Sequence, residues 1–239
     1  MATWVTHLMI ADKLLEQFPL LDRRGFCVGS IAPDCNVENE DWTEFDPPRE
    51  VTHWMQGNRK TAADCEAFYQ EYLVNRADEI KTEEHRSFLL GYYAHLTADA
   101  EFQRFIRDEE RIRAVWLRIH GCPALHEKAA GQPETWDTVK KLVSRTERMQ
   151  EISALEAEYL AEHPDSGYMT EILPLEEFPD YLDYMPGRYI VRKIDVMGDM
   201  PQKEALPNGM ISISREEYEA FVAAAVHLLR EAFTRKRIG

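Results

Sequence analysis

The chain has 239 residues, of which 44% are hydrophobic and 30% are charged. This composition supports a folded core and excludes collagen-like, low-complexity and intrinsically disordered proteins. Its 43 acidic residues outnumber 28 basic ones, which gives a formal net charge of −15 at pH 7. Because such a field repels phosphodiester backbones and anionic lipid headgroups, we expect neither a nucleic-acid polymer as partner nor integral membrane association.

The sequence shows no recognisable export signal and no paired cysteine motif, which predicts a reducing compartment. No apolar run approaches the ~18 residues of a membrane span, and the first residues lack a basic stretch followed by an apolar one. Cys27, Cys35, Cys65 and Cys122 show no C-x-x-C spacing. We therefore expect a soluble, cytoplasmic protein with free thiols.

Apolar residues spaced three and four apart predict helices along most of the chain. In chain order, we expect them near residues 6–18, 24–31, 60–74, 83–107, 108–120 and 134–162. Pro33 predicts the end of the second helix, which leaves Asp34 at a helix exit. Residues 35–50 are predicted to form a loop that leads into Val51, after which His53 would open a helical turn.

The C-terminal part is predicted to hold an irregular segment and one more helix. Prolines and glycines break the helical period over residues 164–210, which indicates an insertion or lid with a short strand or helix at Arg188–Val196. Ser214 and Glu217 form a capping-box pattern that predicts a last helix over residues 214–236. No repeat or linker divides the chain. We therefore expect an all-α fold, a single-domain multi-helix bundle over residues 1–239.

His95 and Asp99 are the first candidates for chemistry. They are four residues apart on a predicted helix, so both side chains lie on one face. The spacing also suits a local hydrogen bond. His7 on the core side of the first helix, Asp34 and His53 are further candidates, although each has a structural interpretation as a core, turn or packing residue.

Three imidazoles and two carboxylates are costly to bury together unless they bind cations. Such ligands suit zinc at about 2.0–2.2 Å. Because five ligands exceed one tetrahedral site, the set indicates two ions that share a bridging carboxylate, for which Asp99 is the natural candidate.

Four motifs carry a resemblance to a known family. They are Thr6-His7-x-x-Ile10-Ala11, Val28-Gly29-Ser30-Ile31-Ala32-Pro33-Asp34, Thr52-His53-Trp54 and Leu90-Gly91-Tyr92-Tyr93-Ala94-His95-Leu96-Thr97-Ala98-Asp99. In this order, over about residues 1–105, the chain resembles the zinc-dependent phospholipase C family, which is similar in turn to the zinc-dependent single-strand nucleases. Each motif is modest alone, but the four together are specific.

The resemblance implies an all-α fold with a tri-zinc cluster in a cleft, built by a metal-site half over residues 1–107. It implies that His53, His95, Asp34 and Asp99 bind a first zinc, and that His7 and Asp99 bind a second. Asp34 resembles the candidate general base of the family.

The sequence also departs from the family. In secreted relatives a processed N-terminal tryptophan supplies its amino group and carbonyl to zinc, whereas Trp4 here is internal, which would weaken the second site. The histidine expected about ten residues beyond His95 is replaced by Phe105. A His-x-x-x-Glu pair remains at His227 and Glu231, which we take as tentative metal ligands, although an exposed i,i+4 pair is the simpler interpretation.

The predicted function is a metal-dependent hydrolase of phosphate esters that uses a zinc-bound hydroxide. The cofactor is Zn²⁺, in one to three ions, with two expected. The substrate is expected to be a small phosphorylated molecule, a phosphodiester or phosphomonoester such as a phospholipid headgroup or nucleotide, and Asp34 would orient or deprotonate the water. The alternative is a non-catalytic binding or structural protein that keeps the phospholipase-C-like fold with a reduced metal site.

Overall fold

The computed structural model describes residues 2–55 and 63–238, and within them it is all-α apart from one small hairpin. The helices are α1 (Trp4–Leu15), α2 (Arg23–Ile31), α3 (Arg49–Thr52), α4 (Cys65–Tyr69), α5 (Glu83–Phe105), α6 (Glu109–Gly121), α7 (Pro123–Ala129), α8 (Trp136–Leu142), α9 (Arg145–Glu162), α10 (Gly187–Met197) and α11 (Arg215–Arg235). Strands β1 (Val37–Glu38) and β2 (Phe45–Asp46) pair antiparallel. The predicted fold class is confirmed.

Polar side chains explain where the main helices begin. Asp22 precedes α2 and Thr82 precedes α5, and each accepts a hydrogen bond from the main-chain N–H three residues further on. These contacts satisfy donors that have no partner in the first helical turn. Ser144 and Ser214 form capping boxes at the starts of α9 and α11. The capping box expected at Ser214 is therefore present.

Glycines let α2 and α5 pack backbone against backbone. A Cβ atom at Gly29 would lie 2.0 Å from the carbonyl oxygen of Phe88, and one at Gly91 would lie 2.2 Å from that of Phe26. No side chain fits at either distance. The C-terminal end of α2 is thereby held directly against the middle of α5, where the candidate histidine and aspartate lie.

Several predicted boundaries were wrong. The single helix expected over residues 134–162 is two helices, because Ser144 caps a new start after α8. The helix α7 was not predicted; Pro123 stands at its first turn, where a missing N–H costs nothing. Of the helix expected over residues 60–74, residues 60–62 lie outside the described part of the chain. His53 ends α3 rather than opening a turn, and its N–H donates to the carbonyl oxygen of Arg49 at 2.9 Å.

The segment over residues 164–210 is tied to the rest of the molecule. Its main element is α10, which confirms a helix where a strand or helix was expected. Lys193 of this helix is buried, and its Nζ lies 2.5 Å from a carboxylate oxygen of Glu38 on β1. Arg192 pairs with the same carboxylate at 2.7 Å. The segment therefore anchors the hairpin that follows Asp34.

Buried apolar side chains form two clusters. The larger joins α1, α2, α5 and α11, and the smaller lies among α6, α7 and α8. The four cysteines are free, as predicted. Among the described helices, none has the length and apolar character that crossing a membrane requires. The single-domain organisation stays a prediction.

Candidate metal centre

The five residues predicted to bind zinc in the first half of the chain lie together. His7 comes from α1, Asp34 from the turn after α2, His53 from the end of α3, and His95 and Asp99 from α5. They form two groups, His7 with His95 and Asp99, and Asp34 with His53 and His95. Within each group the candidate ligand atoms lie within 4.8 Å of one another. The two groups share His95.

The carboxylate of Asp99 lies between the imidazoles of both groups. Its Oδ1 is 3.7 Å from Nε2 of His7, and its Oδ2 is 3.8 Å from Nε2 of His53 and from Nε2 of His95. The main-chain N–H of Ala2 donates to Oδ1 at 3.2 Å and helps to orient the carboxylate. With one oxygen on each side, Asp99 has the geometry of a bridging ligand.

Hydrogen bonds to Nδ1 orient two of the imidazoles. Nδ1 of His95 lies 2.8 Å from the carbonyl oxygen of Ser30, which can only accept, so this nitrogen carries the proton. The hydroxyl of Thr52 donates to the carbonyl oxygen of Arg49 at 3.3 Å and accepts from Nδ1 of His53 at 2.9 Å. Both rings therefore present the Nε2 lone pair to the cluster, the arrangement that metal-binding histidines use.

Burial favours the neutral form of His95 in the cluster. Loss of hydration lowers the pKa of His95 well below its usual range, and the neighbouring ring of His7 lowers it further. Nε2 of His7 and Nε2 of His95 are buried, and neither has a hydrogen-bond partner within residues 2–55 and 63–238. Buried polar atoms are rarely left in this state, and a neutral imidazole is the form that binds a cation. Two carboxylates and three such imidazoles fit zinc.

Asp34 lies on the more open side of the cluster. Its side chain is 10% exposed, whereas those of His53 and Asp99 are at most 3% exposed. Its Oδ1 is 3.2 Å from Nε2 of His53 and 3.2 Å from Nη2 of Arg49. Sequence reasoning missed Arg49, although its position four residues before His53 was a signal that the two side chains share a face.

The aromatic side chains of the irregular segment support the loop that carries His53. The hydroxyl of Tyr92 on α5 donates to the carbonyl oxygen of Thr52 at 2.5 Å. Tyr184 donates to the hydroxyl of Tyr92 at 3.3 Å and accepts from Nε1 of Trp54 at 3.1 Å. The residues on both sides of His53 are thus fixed to α5 and to the segment before α10.

The structure does not bring His227 and Glu231 into this cluster. Both side chains are more than half exposed on α11, and they contact each other at 3.3 Å. Nδ1 of His227 also accepts from Arg230 at 2.8 Å. His227 and Glu231 are therefore an exposed i,i+4 pair, because their face of α11 points to solvent. Phe105, where the family's further histidine was expected, packs against Phe221 of α11.

One family model matches part of the chain that carries this cluster. Residues 6–101 match the family model described as zinc dependent phospholipase C. The matched segment contains His7, Asp34, His53, His95 and Asp99. No significant match was found among curated proteins or among solved structures. Over residues 6–101, the chain is therefore similar to the zinc-dependent phospholipase C family.

Proposed function

We propose that this protein is a zinc-dependent hydrolase of phosphate esters, and that the reaction takes place at the cluster around His95. The proposal depends on one observation: two groups of possible metal ligands lie side by side. Both groups contain His95, and the carboxylate of Asp99 lies between them. The match of residues 6–101 to a family model described as zinc dependent phospholipase C supports it. We propose two zinc ions, since two groups of ligand atoms are present.

The residues have distinct roles in this proposal. Asp34, His53 and His95 would hold one ion, His7 would hold the other, and Asp99 would bridge them. When bound, zinc supplies a Lewis acid that withdraws charge from phosphoryl oxygens and makes water more acidic. Ser30 and Thr52 hold two imidazoles in the tautomer that binds zinc.

Asp34 is the residue proposed to handle the proton. Among the two carboxylates of the cluster it has the greater contact with solvent, at 10% exposure against 3% for Asp99. A carboxylate in that position can orient an attacking water and accept its proton during in-line displacement at phosphorus. The proton would then leave on the open side of the cluster.

The proposed substrate is a small phosphorylated molecule, a phosphodiester or a phosphomonoester. The net charge of −15 repels anionic bilayers and nucleic-acid polymers at a distance, whereas a small anion can reach the cations of the cluster. A phospholipid headgroup or a nucleotide has the required chemistry.

The test uses protein purified without chelators. Zinc is counted by emission spectroscopy, and hydrolysis of bis(p-nitrophenyl) phosphate, p-nitrophenyl phosphate and p-nitrophenyl phosphorylcholine is compared with hydrolysis of phosphatidylcholine vesicles. We expect about two zinc equivalents and turnover of a soluble ester that chelation abolishes and zinc restores. Asp34→Asn should keep the fold and lose turnover. Vesicle hydrolysis as fast as that of the soluble esters would contradict the proposed substrate class.

The second candidate is a non-catalytic protein that keeps one or both ions as structural elements. The burial of His7, His53, His95 and Asp99, each at most 2% exposed, favours it. X-ray absorption spectroscopy at the zinc edge, which reports the ligands of each ion, distinguishes the two functions. Three protein ligands and an exchangeable water at an ion indicate catalysis, whereas four protein ligands indicate a structural site.

A further inference from the structure

We propose that Arg49 is the phosphate-positioning residue of this centre, and that its guanidinium and a divalent cation compete for the same oxygen of Asp34. The inference rests on the proposed function, because it names how the substrate's phosphate is bound. It concerns a residue outside the predicted ligand set.

The contacts of Arg49 place its charge where the first group of ligands converges. Its Nη2 lies 3.2 Å from Oδ1 of Asp34 and 3.5 Å from Nε2 of His53. The same Asp34 oxygen and His53 nitrogen are 3.2 Å from each other. An ion bound by these two atoms would meet the guanidinium at close range, so the two cations repel each other.

The side chain of Arg49 is exposed enough to move away from Asp34 toward solvent. It is 32% exposed, whereas Asp34 is 10% exposed and His53 only 2%. Arg49 lies on the short helix α3, one turn before His53, so its backbone is fixed relative to the cluster while its long side chain reaches solvent. A guanidinium that leaves Asp34 therefore stays at the mouth of the site.

The chemistry of that position suits a phosphate. A guanidinium is planar, keeps its charge at all accessible pH values and donates parallel hydrogen bonds to two oxygens of a phosphoryl group. In a chain with net charge −15, a guanidinium beside the proposed zinc ions would help to retain an anion near two carboxylates. Arg49 would thus bind the substrate and orient its phosphorus toward Asp34.

The proposal predicts that one variant, Arg49→Gln, raises zinc affinity and lowers phosphate affinity. Arg49→Gln removes the charge, so zinc should bind about threefold more tightly or better, because a repelling cation is gone. Inorganic phosphate should bind the zinc-loaded variant roughly tenfold more weakly or worse, because charge-assisted hydrogen bonds are lost. Both affinities are measured by isothermal titration calorimetry with wild type alongside. For a soluble phosphoester, KM should rise more than kcat falls.

Two further variants sharpen the test. Arg49→Lys keeps the charge without the planar fork, so its phosphate affinity should lie between wild type and Arg49→Gln. Arg104→Gln is the matched control, because Arg104 pairs with Glu101 on an exposed part of α5. It should change neither affinity.

Other outcomes overturn the proposal. If Arg49→Gln lowers zinc and phosphate affinity together and also lowers Tm, Arg49 has only a structural role. Unchanged affinities, or a wild type that binds neither zinc nor phosphate, also contradict it. If wild type binds both with the predicted response to Arg49→Gln but hydrolyses no ester, the proposed function fails while the role of Arg49 as an anion-binding residue stands.

Discussion

The imidazole rings of His7 and His95 are stacked face to face, with 3.9 Å between their centroids and 13° between their planes. Two imidazolium ions at this distance would repel each other strongly, because both rings are buried. Burial lowers the pKa of His95 well below its usual range, and Nε2 of each ring has no hydrogen-bond partner among the described residues. In the proposed centre, one ion would bind Nε2 of His95 and the other would bind Nε2 of His7.

The first prediction concerns metal content. His95→Ala and Asp99→Ala should each lose most of the bound zinc, because His95 belongs to both groups of ligands and Asp99 lies between them. Emission spectroscopy on chelator-free preparations measures the loss. His227→Ala is the control and should retain wild-type zinc, since His227 is exposed. Equal zinc loss in His227→Ala would show that the metal lies elsewhere.

The second prediction concerns the orientation of His53. Thr52→Val removes the acceptor of its Nδ1–H while keeping a buried side chain of similar shape. Loss of such an outer hydrogen bond weakens metal binding by about 10- to 100-fold. Thr52→Ser, which keeps the oxygen, should bind zinc nearly as wild type. A competition titration with a fluorescent zinc chelator compares the variants, and equal affinities in Thr52→Val and Thr52→Ser would refute the role.

The third prediction concerns the contact between α2 and α5. Gly29→Ala would place a Cβ atom 2.0 Å from the carbonyl oxygen of Phe88, so the helices must separate. We expect a loss of about 2–3 kcal/mol in the free energy of unfolding. Zinc affinity should also fall, because α2 carries the carbonyl group that orients His95.

Urea unfolding followed by circular dichroism measures this effect, and Gly121→Ala is its control. A Cβ atom at Gly121 would meet no described atom within 4 Å, so that variant should be neutral or up to about 1 kcal/mol more stable. If Gly29→Ala were as stable as Gly121→Ala, the close packing of the two helices would not be essential.

The fourth prediction concerns pH and a buried carboxyl group outside the cluster. Glu156 on α9 accepts hydrogen bonds from the N–H of Thr6 at 3.0 Å and from its hydroxyl at 2.7 Å. Burial raises the pKa of Glu156 to about 7, from 4.5 when it is solvated. The folded state therefore favours the protonated acid. Its contribution to stability is complete below about pH 4.5 and is lost as the pH rises through about 7.

Glu156→Gln should remove this dependence while its amide oxygen still accepts the hydrogen bonds. The shift corresponds to a difference on the order of 3 kcal/mol between the two ends of the window. Relative to wild type, the variant should gain stability between pH 5 and pH 8, measured by urea unfolding in the presence of a chelator. Glu162 is exposed on the same helix, so the free energy of unfolding of Glu162→Gln should vary with pH as that of wild type does. If the free energy of unfolding of Glu156→Gln varied with pH as that of wild type does, the raised pKa of Glu156 would be contradicted.

Local features of the sequence determined much of the fold. Apolar residues three and four apart predict α5 and α11 because a helix repeats every 3.6 residues. Ser214 predicts the start of α11 because its hydroxyl satisfies an N–H of the first turn. The break between α8 and α9 was missed because apolar periodicity continues across it, although Ser144 and Glu147 carry the same capping signal.

For the candidate site, the sequence by itself determined that His95 and Asp99 share one face of a helix, since four residues make about one turn. Family-like motifs added His7, Asp34 and His53, but their spacing along the chain gives no distances. Only the tertiary structure decided that these side chains meet, through the close contact of α2 with α5, and that Arg49 lies against Asp34. Local propensity fixes dihedral angles over a few residues, whereas contacts between distant residues depend on how whole helices pack.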